Sequence, residues 1–137
     1  MGLACDAAGE WRGAALLIFE HDEWTVFEDL SGCLGAIPAE EWRTLAGQEP
    51  LVYAGYDDTV PSGELVVVET GRIARAFVDD ARDPAGNVDV GGQPPLRSWL
   101  DVAGFVDEDA IYGSRPEEAL LWVLAGPPGS EPSRSAP

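Results

Sequence analysis

The chain has 137 residues, enough for one ordinary domain that buries roughly two-thirds of the surface its unfolded form exposes. Hydrophobic residues make up 45% and five are tryptophans, so apolar burial can outweigh the entropy of ordering and the composition excludes wholesale disorder. Eight arginines, no lysine and 25 acids give a formal net charge of -17, far past the magnitude of about 2 to 8 that keeps a small domain soluble.

A field of that sign repels nucleic acid and anionic membranes and draws in cationic proteins. The plain alternative is a solvated acidic surface. Cys5 and Cys33 have no repeated spacing, which predicts neither a disulfide framework nor a zinc cluster. The start, Met1-Gly2-Leu3-Ala4-Cys5-Asp6, lacks the basic and apolar stretches of a lipoprotein signal, and Asp6 stands where N-myristoylation wants Ser or Thr. No run approaches the ~18 apolar residues of a membrane span. These features together predict a cytoplasmic protein.

Residues 1–13 read as a flexible or partly ordered N-terminus, 14–125 as a single domain and 126–137 as a disordered tail rich in Pro, Ser and Gly. Ala14 to Glu20 is a short apolar run, and Trp24 to Asp29 is a second, aromatic and β-branched one, with His21 and Asp22 turning between them. Ile37-Pro38-Ala39-Glu40-Glu41-Trp42 opens a short helix: proline suits the first turn, the acids favour its positive end, and Gly47 can end it. Trp42 and Leu45 are expected on its buried side.

Leu51 to Tyr56 predicts a strand, followed by an acidic turn at Asp57, Asp58, Pro61, Ser62 and Gly63. Leu65 to Glu69 then runs through the tight turn Thr70-Gly71 into Arg72 to Val78. A two-residue period there puts Ile73, Arg75 and Phe77 on one side and Ala74, Ala76 and Val78 on the other. Asp79 to Pro95 carries three glycines and three prolines and predicts a long loop. Leu96, Trp99, Leu100 and Ala103 predict a helix that Gly104 ends. Ser114 and Glu117 match a capping box ahead of a buried final helix over Ala119 to Leu124, with a strand as the alternative for so short a run. The expectation is an α+β fold: a central antiparallel sheet of four or five strands with two or three short helices packed against it.

Catalytic chemistry finds little support. Cys33 and His21 would be a nucleophile and its base, but Ser31-Gly32-Cys33-Leu34-Gly35 is no nucleophile motif, and an acidic surround raises a thiol pKa. Asp79, Asp80, Asp83, Asn87 and Asp89, and next Asp107 to Asp109, offer oxygen ligands for Ca²⁺ or Mg²⁺, without the residue order of an EF-hand loop. Glu40 with Glu41, and Glu117 with Glu118, are adjacent pairs that diverge by about 100° on a helix and cannot flank one bond. Phosphate-loop, dinucleotide, metalloprotease and hydrolase motifs are missing from the sequence. No cofactor and no metal is expected.

What stands out is acid beside aromatic. Tyr53, Tyr56, Asp57 and Asp58 form one such group; Trp99, Asp101, Phe105, Asp107, Glu108, Asp109 and Tyr112 form a second, and Asp79 and Asp80 join them as expected partner-binding residues. Capture of a basic partner needs both kinds, since rings anchor and carboxylates steer and pair. The alternative is that the rings are core, as expected for Trp24, Trp42, Trp99 and Trp122.

In size, acidity and α+β layout the chain resembles bacterial toxin-immunity proteins, which cover the active sites of cationic toxin domains. The segments GELVVVETGRIARAFVDD and SWLDVAGFVDEDAIYG look like those of small proteins from high-GC bacteria. The resemblance implies a non-enzymatic inhibitor whose partner is a basic protein, probed without direct contact to nucleic acid or membrane. A DNA mimic or regulatory adaptor is the alternative in the same charge class; a metal-binding protein or an enzyme of unfamiliar type is the alternative outside it.

Overall fold

The computed structural model describes residues 13–32, 34–35, 37–92, 95–106, 120–125 and 132–135. In chain order the strands are β1 (Gly13–His21), β2 (Trp24–Asp29), β3 (Leu51–Asp57), β4 (Ser62–Glu69), β5 (Arg72–Asp80), β6 (Val88–Gly91), β7 (Leu120–Ala125) and β8 (Pro132–Ser135). The helices are α1 (Ala39–Ala46) and α2 (Trp99–Phe105), with a 3-10 turn at Pro84–Gly86. The chain divides into two compact units, Met1–Gly35 with Asp109–Pro137, and Ala36–Glu108. Each holds one four-stranded antiparallel sheet, and the class is α+β as the sequence predicts.

The first unit orders its strands β2-β1-β7-β8. His21 pairs with Trp24 around a two-residue turn in which Asp22 takes a left-handed φ of 52°, a conformation that Asp tolerates better than most residues. Beyond β2 the Asp29 carboxylate accepts hydrogen bonds from the backbone of Ser31, Gly32 and Leu34, and the Ser31 hydroxyl accepts one from the Ala15 N–H at 2.9 Å. The hairpin is thereby tied back to β1. Ala15 and Phe19, two apart twice over, are its buried side chains.

Two expectations change in this unit. Leu120–Ala125 is a strand rather than a final helix, paired with β1 from Gly13↔Ala125 to Ile18↔Leu120. A run of leucine, tryptophan and valine suits either state, and the partner strand decides. Within the tail expected to be disordered, Pro132–Ser135 pairs with β7; an outer strand needs only backbone partners, and proline is tolerated at its first residue. Ser114 and Glu117 lie outside the described residues. Trp24, expected in the core, is 45% exposed, because β2 is an outer strand.

The second unit orders its strands β3-β4-β5-β6. Thr70 and Gly71 have φ of 51° and 74° and join Glu69 to Arg72, the left-handed pair that matches strand twist. The register slips between Val67 and Val68, so that Val67 faces Arg75 while Val68 faces Ile73. Ala74 is therefore the extra residue of a β-bulge. This corrects the two-residue period at one point: Arg75, Phe77 and Asp79 share a face with Leu65 and Gly63, and Ile73 lies on the opposite face with Val68.

α2 packs on the first of these faces, where Val102, Leu65 and Phe77 form a buried cluster. It begins at Trp99, three residues later than Leu96, with Ser98 before it, and it continues through Gly104. Gly63 sets how closely it can lie: a Cβ there would stand 2.7 Å from Trp99 Cα. α1 follows Pro38 and ends at Gly47 as expected, and covers the other face through Trp42, stacked on Tyr53 with ring centroids 4.6 Å apart. Leu45, expected beside Trp42, is 72% exposed. The stretch expected as a loop contributes β6, whose Val-Asp-Val alternation pairs with β5 from Val78↔Val88 to Arg75↔Gly91.

Candidate partner-binding surface

The β3–β4 turn gathers most of the acids singled out in the sequence. Asp57 is paired with Ser62 and Ser62 with Asp80 across three strands. Asp58 is exposed in the same turn. Asp79 follows on the opposite face, where its carboxylate accepts the first N–H of α2, from Trp99, at 2.9 Å. Asp101 lies one turn into that helix. Sequence pattern finds these residues, but only the register brings them to one end of one sheet.

Each of the four engaged carboxylates also holds the backbone. Asp57 accepts from the N–H of Thr59 at 2.8 Å, closing its own turn. Asp79 accepts from Asn87 Nδ2 as well as from Trp99. Asp80 accepts from the Arg82 N–H at 2.8 Å and from the Arg82 guanidinium at 3.0 and 3.1 Å. Asp101 accepts from the N–H groups of Arg97 and Ser98, the acidic half of a capping box. The Arg82 side-chain hydrogen bonds, then its backbone N–H, hold Asp80 below the ordinary carboxylate value. The same bonds hold Arg82 above its own, with the fields of Asp57 and Glu64 adding to them.

The tyrosines behave differently from exposed anchors. Tyr53 is half-buried under Trp42 and donates its hydroxyl to Glu64 at 3.1 Å. Tyr56 has its hydroxyl buried without a hydrogen-bond partner. Both are partly buried and, three residues apart in β3, they lie on opposite faces of the sheet. Asp107, Glu108, Asp109 and Tyr112 lie outside the described residues.

Exposed apolar side chains include Phe27 at 57%, Val90 at 59%, Leu100 at 60% and Phe105 at 55%; of these the sequence places Leu100 on its helix and Phe105 beside the second group of acids. His21 lies 3.6 Å from Asp22, and Cys33 is outside the described residues. Among the described residues no group of three or more His, Cys, Asp or Glu is placed to hold a metal ion, and no helix is long and apolar enough to cross a membrane. A cavity of about 230 Å³ between β5, β6 and Leu96 is below the usual range of small-molecule sites. No family model, curated protein or solved structure matches the chain.

Proposed function

We propose that the chain is a non-enzymatic acidic binding protein of the cytoplasm that neutralises a basic protein partner, in the manner of an immunity protein that blocks a bacterial toxin. The observation that supports this reading is the net charge of -17 combined with Asp57, Asp58, Asp79, Asp80 and Asp101 at one end of a single sheet. Carboxylates held by backbone N–H groups are pre-organised. They steer a cationic surface into place without first being ordered themselves.

Steering of this kind is screened within a Debye length of about 10 Å at 0.1 M salt and about 3 Å at 1 M. Co-expression with the products of neighbouring genes, followed by pull-down at low salt, tests the reading. The expected result is recovery of a basic protein whose association rate falls by about tenfold or more as salt is raised. Recovery of no basic protein, or an association rate indifferent to salt, refutes it.

A further inference from the structure

We draw no further inference here: the strongest candidate, the small cavity between β5, β6 and Leu96, is lined by carboxylates that are already engaged, Asp79 by Trp99 and Asn87 and Asp89 by Arg75, and no second observation in the structure points to a ligand for it.

Discussion

The Arg75 guanidinium reaches across from β5 to Asp89 on β6, with Nη1 2.5 Å from the carboxylate, and lies 5.7 Å above the centre of the Phe77 ring. The two ends of this pair are not equivalent. The Arg75 side chain is 8% exposed and its Nη2 has no hydrogen-bond partner, whereas Asp89 is 37% exposed.

That asymmetry predicts unequal costs. Asp89→Ala strands a buried cation and is expected to lose about 1–3 kcal/mol, less than a fully enclosed pair because water reaches Asp89. Arg75→Met leaves a carboxylate that can hydrate and removes an unsatisfied donor, so its loss should be smaller, about 1 kcal/mol. Urea denaturation of the two variants settles the order, and a larger loss for Arg75→Met would contradict it.

Gly63→Ala should destabilise the second unit by about 1–3 kcal/mol, the range for overpacking a closed core. The added carbon would stand 2.7 Å from Trp99 Cα, 2.8 Å from its Cβ and 3.1 Å from a Val102 methyl, so α2 must move outward. Gly104, beside which nothing lies within 4 Å of a Cβ, is the control: as an exposed helical position it should gain slightly on change to Ala. Thermal unfolding of both variants gives the comparison.

Asp79 is a cap in the tertiary sense, since it accepts the first N–H of a helix twenty residues away. Asp79→Ala is expected to lose about 1–2 kcal/mol and Asp79→Asn much less, because the amide oxygen remains an acceptor. Amide exchange at Trp99 reads the local opening directly. Equal exchange in Ala and Asn variants would show that the charge rather than the hydrogen bond matters.

Trp42 lies over Tyr53 with its indole Nε1 buried and unpartnered. Trp42→Phe therefore loses ring area but no hydrogen bond and should cost about 1–2 kcal/mol, against about 3–5 for Trp42→Ala. Near-ultraviolet circular dichroism should lose its indole signal from this stack in both.

The Asp80–Arg82 contact has a definite pH signature. Asp80 is lowered from its ordinary value of 3.8, so the stabilisation it gives is complete above that unfolded-state value and is lost as pH falls through the lowered folded one. Carbon-detected titration of the Asp80 carboxyl should place its midpoint below 3.8. Arg82→Gln, which removes the guanidinium but keeps the backbone N–H, should move it back toward that value.

Much of the local structure was readable in advance, for reasons that are themselves local. Pro38 and Gly47 bracket α1, Thr70-Gly71 makes the hairpin between β4 and β5, and the run from Leu65 to Glu69 is a strand in any context that buries it. The acids at Asp57, Asp79, Asp80 and Asp101 were legible as candidates, in separate stretches of the chain. Their task was not: whether a carboxylate is a bare surface charge or a backbone acceptor depends on which N–H another segment brings to it, as Trp99 is brought to Asp79.

Composition determines the chain's charge and its capacity for a core, and local sequence the types of most elements, because propensity, turn chemistry and titrating groups are properties of short stretches. Partner choice belongs to the folded whole. The β1–β2 hairpin joins Leu120–Ala125 rather than the sheet that follows it, Val88–Gly91 adds an edge to β5, and a single extra residue at Ala74 sends Ile73 to the opposite face from Arg75. Those outcomes turn on pairings between distant segments, whose energies no local window contains.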